Sequence, residues 1–148
     1  MSDCYVRILP ESPEDNIDTT AVTAIIKYLS EYTVSDSIRC VESAAMMFVD
    51  CGGNLDRIVC PHCGGAVDFG WWGERMTEAH AGRFADLRVV MPCCAMQSSL
   101  NDLLYDFPCG FAKTMIEMRN PQIPVSEACL VQLRRMAKCS VRLIAARY

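Results

Sequence analysis

The sequence lacks any apolar run approaching the roughly 20 residues needed to cross a lipid bilayer. The segment MSDCYVRILPESPED at its start also has no basic start followed by an apolar stretch, the pattern of a secretory signal. We therefore expect no membrane partner and a cytoplasmic location.

Basic residues are too few to form a track along nucleic acid. The chain carries 14 Lys and Arg against 18 Asp and Glu, for a net charge of -4. Arginines near the central cysteines are matched by acidic neighbours, namely Arg57, Arg75, Arg83 and Arg88 against Asp56, Asp68, Glu74, Glu78 and Asp86. Because affinity for nucleic acid depends on neutralising phosphates, this balance argues against a nucleic-acid partner.

The sequence has only two histidines, whereas it has ten cysteines. A disulfide framework belongs to short exported domains, and this chain has 148 residues and no recognisable export signal. We therefore expect reduced thiols, a few on a metal ion and the others packed as small hydrophobic side chains. The expected packing cysteines are Cys4, Cys40, Cys51, Cys109, Cys129 and Cys139.

The apolar pattern predicts an α+β fold, with a mixed or antiparallel sheet, about three helices and a zinc-ribbon-like metal knuckle. Helices are expected after Asp18 and Ser126, which can cap them, and from Asp68 to about Phe84. Strands are expected at 4–9, 38–41, 46–49, 57–59, 87–91, 100–105, 111–118 and 141–145, with 38–41 paired to 46–49 and 100–105 paired to 111–118. We expect one domain over 1–148, with 57–97 as its metal-binding core.

The pair Cys60-x-x-Cys63 is the clearest chemical signal. Zinc takes thiolates at about 2.3 Å in a tetrahedron, so its ligands commonly arrive as close pairs. Pro61 presets a tight turn, and Gly64 lets backbone N–H groups approach the sulfurs. A thioredoxin-like redox pair would instead open a helix, whereas the residues after Cys63 are GGAV, which form helices poorly. Metal binding is the favoured interpretation.

The second half of the site, MPCCA at 91–95, is less regular. When this segment is aligned with the C-P-x-C-G pattern, Cys94 takes the position of the second cysteine. Met91 then stands at the position of the first cysteine, and Cys93 at the variable position. Either Cys93 supplies the fourth ligand through an adjacent-residue geometry, or another side chain does. The possible substitutes are His80, Cys51, Cys109 and His62, and the predicted ligand set is Cys60, Cys63, Cys93 and Cys94.

A zinc ion held by four thiolates is expected to be structural. A catalytic zinc keeps an open position and prefers histidine or carboxylate ligands, whereas four thiolates close the sphere. A structural zinc contributes on the order of 10 kcal/mol to folding, which exceeds the net stability of many domains. Metal removal is therefore expected to unfold the region.

A polar run at 98–107 brings Asn101, Asp102, Tyr105 and Asp106 together in sequence. Asn and Asp are common turn formers, and this is the favoured interpretation of the run. The alternative is an acid/base pair near the metal. That alternative requires one pocket to hold at least two of Asp102, Asp106 and His80.

Several motifs together resemble a group of small uncharacterised bacterial zinc-ribbon-like proteins. The shared pattern is CPxCG … WW … PCCG … SLNDLxY … GFA … NP, and it covers 59–148. The resemblance implies a cytoplasmic zinc-ribbon-like protein, with Cys60, Cys63, Cys93 and Cys94 as its cysteine positions and Asn101, Asp102, Tyr105, Gly110 and Phe111 in its central block. Ala95 departs from the glycine of that pattern, and Arg147 from its histidine.

These observations favour a non-catalytic, zinc-stabilised protein-interaction module with an unidentified protein partner. An immunity or inhibitor-type role belongs to this class, because such proteins are small and acidic and need no catalytic groups. One alternative is a small metal-dependent enzyme, and a second is a nucleic-acid-binding zinc ribbon.

Overall fold

The computed structural model describes residues 2–148, and within this range the chain forms eight strands and three helices. In chain order the elements are β1 (Cys4–Pro10), α1 (Thr19–Tyr32), β2 (Ser37–Val49), β3 (Ile58–Val59), α2 (Phe69–Ala81), β4 (Arg88–Val90), β5 (Gln97–Ser99), β6 (Leu104–Tyr105), β7 (Gly110–Arg119), α3 (Glu127–Ala137) and β8 (Val141–Arg147). The predicted α+β class is confirmed. None of the helices in 2–148 has the length and apolar character required of a membrane span.

The main sheet has four strands in the order β2-β7-β1-β8, and all neighbours are antiparallel. Side chains alternate between the two faces of a strand, so Ile8 of β1 points to one face and Leu9 to the other. Ile8 packs in an apolar cluster with residues of α1 and α3, whereas Leu9 belongs to a cluster with Ile144 and Met115. Helices α1 and α3 therefore cover one face of the sheet.

The helix starts follow the local chemistry of the sequence. The Asp18 carboxylate accepts a hydrogen bond from the Ala21 N–H at 2.8 Å, and the Ser126 hydroxyl accepts one from the Cys129 N–H at 3.1 Å. Each side chain satisfies a backbone donor that has no partner inside its helix. The predicted caps of α1 and α3 are confirmed.

The segment between β2 and β7 carries two small two-stranded sheets. Strand β3 pairs with β6, and β4 pairs with β5, both antiparallel. An apolar cluster behind these strands includes Ile58, Met91 and Leu100, and it reaches the main sheet through Phe111 of β7. Phe48 of β2 lies 5.2 Å from Phe111 between ring centroids. The cysteine-bearing segment is therefore packed onto the end of the main sheet.

Two predicted strand pairings are wrong. The segments 38–41 and 46–49 belong to one continuous strand, β2, with an irregularity between Glu42 and Met47. Strand β6 pairs with β3, and β7 lies between β1 and β2 instead of pairing with 100–105. In both cases a partner far away in sequence decides the pairing, while the local turn residues indicate a hairpin.

The sheet face opposite the helices contains a buried ion pair. Arg7 donates from Nε to Glu117 Oε2 at 2.9 Å, and Arg39 lies 2.9 Å from Glu117 Oε1. Arg7 also donates to the Asp50 carbonyl at 3.1 Å and to the Tyr148 hydroxyl at 2.9 Å. These contacts tie β1, β2, β7 and the residue after β8 together.

Candidate metal centre

The first knuckle follows β3 and is closed by backbone hydrogen bonds. The Cys60 N–H donates to the Gly65 carbonyl at 2.9 Å, and the Gly64 N–H donates to the Cys60 carbonyl at 3.1 Å. Gly64 has a φ of +74°, in the left-handed region that glycine adopts without steric cost. This turn places Cys60 and Cys63 side by side.

The second knuckle, between β4 and β5, repeats this backbone arrangement. The Met91 N–H donates to the Met96 carbonyl at 2.9 Å, and the Ala95 N–H donates to the Met91 carbonyl at 2.9 Å. Met91 therefore occupies the backbone position of Cys60, as the overlay of the two motifs predicts. Ala95 has a φ of +61°, which costs a non-glycine residue about 1 kcal/mol.

The structure brings the four predicted ligands together at one point. Their sulfur atoms all lie within 4.8 Å of one another. The Cys60 and Cys94 sulfurs are 3.8 Å apart, and those of Cys63 and Cys93 are 3.2 Å apart. Four sulfurs at about 2.3 Å from one ion in a tetrahedron are about 3.8 Å apart. The cluster can therefore hold a metal ion with small side-chain adjustments.

Backbone dipoles stabilise negative charge on three of the four sulfurs. The His62 N–H donates to Cys60 Sγ and the Gly65 N–H donates to Cys63 Sγ, each at 3.4 Å. A backbone hydrogen bond from Met96 acts on Cys94 in the same sense. These donors offset part of the charge that several thiolates would bring to one ion.

The cluster needs a cation before all of its thiols can ionise. Burial opposes ionisation of Cys60, but the backbone hydrogen bonds outweigh it and lower the pKa of this thiol to about 6. The hydrogen bond with Cys63 raises the pKa of Cys93 to about 12. Negative charge on one sulfur disfavours it on its neighbours. A divalent ion would supply the opposite charge and would drive the remaining protons off.

The alternative ligands lie elsewhere. His62 donates from Nε2 to the Gln97 carbonyl at 2.9 Å, and the His80 ring packs against the Phe84 ring with centroids 5.5 Å apart. Within the part of the chain that the structure describes, neither histidine belongs to the sulfur cluster. Cys51 and Cys109 form a separate buried pair, with sulfurs 3.5 Å apart.

The polar run after the cluster makes structural contacts at Asn101 and Tyr105. Asn101 is buried and donates from Nδ2 to the Glu11 carbonyl at 3.1 Å. Arg142 donates to the Asn101 carbonyl at 3.1 Å and also forms an ion pair with Glu11. The Tyr105 hydroxyl donates to the Leu100 carbonyl at 2.7 Å. Sequence reasoning missed the part of Arg142 in this link, because its partners are distant in sequence.

The acidic side chains of the run have different surroundings. Asp106 accepts backbone hydrogen bonds from Asp56 at 3.2 Å and Phe107 at 3.0 Å, as a turn residue does. Asp102 lines an open groove of about 1300 Å³ between the loop after β1 and the segment before β4. Neither Asp106 nor His80 lines that groove. The acid/base arrangement that the enzyme hypothesis requires is therefore not assembled there.

Comparisons with known proteins offer no relative from which a function can be transferred. No family model matches the chain, and neither a curated protein nor a solved structure matches it. Function is therefore inferred from the geometry of the cysteine cluster and its surroundings.

Proposed function

We propose that this chain is a non-catalytic, zinc-stabilised protein-interaction module, related to the zinc-ribbon-like group that its motifs resemble. The observation that carries the proposal is the convergence of four cysteine sulfurs within 4.8 Å from two similar knuckles. An ion at this point ties together two segments 30 residues apart along the chain, those of Cys63 and Cys93.

Zinc is the ion best suited to this set of donors. Four thiolates in a tetrahedral arrangement favour zinc over magnesium or calcium, which prefer oxygen ligands. The short strands β3 to β6 have two or three residues each, too few to be stable alone. The ion supplies the missing stability, so its removal unfolds 57–97.

A structural role for the ion fits its surroundings. Four sulfur ligands leave no open position for substrate or water. Asp102 faces the groove, whereas Asp106 is engaged by the backbone N–H groups of Asp56 and Phe107. These contacts support a module without acid/base chemistry at the metal.

The hairpin that carries the second knuckle offers an apolar surface for a partner. Val90 of β4 is 57% exposed, and Met96, just before β5, is 53% exposed. We take these two exposed apolar side chains, which lie on one hairpin, as the contact site for a partner. Because the chain has a net charge of -4, we favour a basic partner, as an immunity or inhibitor-type protein would have.

The proposal is tested with a double substitution, Val90→Asp with Met96→Asp. We expect the variant to keep its zinc ion and fold, and to lose a partner that the unmodified chain captures from its native host. The matched control is Val34→Asp, at a 66% exposed apolar position outside the metal-binding segment, which is expected to keep the partner.

Two results would contradict the interaction module. One is recovery of no partner from the native host by the zinc-loaded chain. The other is a partner that binds equally well to the chain without zinc and to the double variant. In either case the hairpin is not a zinc-dependent contact surface.

A further inference from the structure

The four cysteine residues of the cluster differ in exposure. Cys60 is buried and Cys94 partly buried, whereas Cys63 and Cys93 are exposed. The Cys63 and Cys93 sulfurs are also the closer pair, at 3.2 Å compared with 3.8 Å between Cys60 and Cys94. The closer sulfur pair therefore belongs to the two residues of the cluster that are exposed to solvent.

Cys93 also differs from its neighbours in its hydrogen bonds. Cys60 and Cys63 each accept a backbone N–H, and a backbone hydrogen bond from Met96 acts on Cys94. Over residues 2–148 no backbone N–H donates to the sulfur of Cys93, which contacts the neighbouring thiols instead. An N–H donor withdraws electron density from a thiolate, so a metal-bound sulfur without one is the more nucleophilic.

The reason for this difference lies in the knuckle itself. In the first knuckle the N–H groups point at the sulfurs of the first and second cysteine positions. Cys93 occupies the variable position of the second knuckle, while Met91 holds the first position and is buried among apolar side chains. The fourth ligand therefore comes from a position that the turn does not supply with donors.

We propose that Cys93 is the reactive ligand of the centre, and that a small hydroperoxide oxidises it to a disulfide with Cys63 and so releases the ion. This inference rests on the proposed zinc site and adds a means of regulating it. The disulfide keeps the two knuckles joined at Cys63 and Cys93, but only the thiolates of Cys60 and Cys94 then remain as ligands, too few to hold the ion. The surface at Val90 and Met96 then loses the support of the ion.

The reaction balances with hydrogen peroxide as the oxidant. The Cys93 thiolate attacks one peroxide oxygen, an S–O bond forms, the O–O bond breaks, and hydroxide leaves. The Cys63 thiolate then attacks the sulfenic sulfur, an S–S bond forms, the S–O bond breaks, and a second hydroxide leaves. With two protons from solvent, two thiolates are oxidised to one disulfide and peroxide is reduced to two water molecules.

Cys51 and Cys109 provide an internal control. Their sulfurs are 3.5 Å apart, close to the 3.2 Å of Cys63 and Cys93, but both side chains are buried. If the distance between the sulfurs alone determined the rate of disulfide formation, both pairs would oxidise at similar rates. If the rate depends on exposure and on the thiolate form that a bound metal ion maintains, the Cys63–Cys93 pair reacts first.

The test treats the zinc-loaded full chain with one equivalent of hydrogen peroxide. Zinc release is followed with a chromogenic chelator, and disulfides are mapped by differential alkylation and peptide mass spectrometry. We expect the Cys63–Cys93 disulfide to form at the rate of zinc release, and at least about tenfold faster than the Cys51–Cys109 disulfide. Cys93→Ser is expected to slow peroxide consumption, whereas Cys139→Ser, at a thiol outside the cluster, leaves it unchanged.

A first disulfide that contains Cys60 or Cys94 would overturn the inference. So would zinc that stays bound after Cys63 and Cys93 are joined, or equal rates for the two pairs. If Cys93→Ser does not hold zinc, disulfide mapping on the unmodified chain still shows whether Cys63 and Cys93 are joined first. A chain that binds no zinc at all contradicts the proposed function instead, so the two failures are distinguishable.

Discussion

Glu117 forms ion pairs of equal length with two arginines that differ in exposure. Replacing each arginine in turn therefore gives a quantitative test of how burial affects stability. Arg7 Nε and Arg39 NH2 each lie 2.9 Å from a Glu117 oxygen. The Arg7 side chain is 10% exposed, however, whereas that of Arg39 is 65% exposed. We therefore predict very different effects for Arg7→Met and Arg39→Met, which remove the charge and keep most of the side-chain volume.

The expected losses of stability follow from the burial of each arginine, because the nitrogen–oxygen distance to Glu117 is the same in both ion pairs. Removing the buried partner of a buried ion pair costs about 3–5 kcal/mol, and after Arg7→Met the buried Glu117 carboxylate would keep only the exposed Arg39 as its counter-charge. An exposed pair contributes about 0–1 kcal/mol, since water and salt screen it. Arg7→Met also leaves the Asp50 carbonyl and the Tyr148 hydroxyl without their donor. We expect a loss of at least about 3 kcal/mol for Arg7→Met and at most about 1 kcal/mol for Arg39→Met.

The measurement is urea unfolding of the zinc-loaded chain, followed by circular dichroism. With a slope of about 2 kcal/mol/M, the midpoint falls by about 1.5 M or more for Arg7→Met and by at most about 0.5 M for Arg39→Met. Added salt should reduce the effect of Arg39→Met and leave that of Arg7→Met almost unchanged. Equal losses for the two variants would refute the argument that burial determines the strength of these pairs.

Three further predictions concern the metal centre and the adjoining loop. Ala95→Gly is expected to stabilise the zinc-loaded chain by about 0.5–1 kcal/mol in urea unfolding, and Gly64→Ala to destabilise it by a similar amount. The reason is that both positions need a left-handed backbone. A change of the opposite sign in either variant would contradict the shared knuckle geometry. Zinc binding should strengthen as pH rises and release protons near pH 7.5, because the raised pKa values of Cys93 and Cys94 keep these thiols protonated there, whereas Cys60, with its lowered pKa of about 6, is already ionised. Calorimetry in two buffers of different ionisation enthalpy counts these protons, and a release of none would refute the thiolate site. Gly52→Ala should destabilise the chain by more than about 3 kcal/mol. The φ of Gly52 is +64°, and an added Cβ atom would collide with the Arg147 carbonyl oxygen. Near-normal stability in thermal unfolding would contradict this close approach.

Features that depend on neighbouring residues were predictable from the sequence. Asp18 and Ser126 begin helices where a side-chain oxygen can reach an N–H three residues ahead. The overlay of MPCCA on CPHCG assigned Met91 to the place of Cys60, and the backbone hydrogen bonds of the two knuckles agree with it. Local spacing and turn chemistry were sufficient in these cases.

Features that depend on residues distant in sequence were not predictable in this way. The irregularity between Glu42 and Met47 resembles a turn in sequence, yet both sides of it pair with the same later strand, β7. Arg7 and Glu117 face each other across β1 and β7, and no local pattern marks either residue as buried. Such pairings are decided by which long-range contacts bury the most apolar surface, and a single sequence does not contain that information in any one window.

Metal content is the most direct test of the four-sulfur centre. Elemental analysis of purified chain, before and after a strong chelator, is combined with circular dichroism. Our account predicts about one zinc ion per chain, lost in each single Cys→Ser variant at 60, 63, 93 and 94 and retained in the control Cys40→Ser, with unfolding of 57–97 when the ion is removed. A purified chain that holds no metal, and that keeps its structure in the chelator, would contradict it.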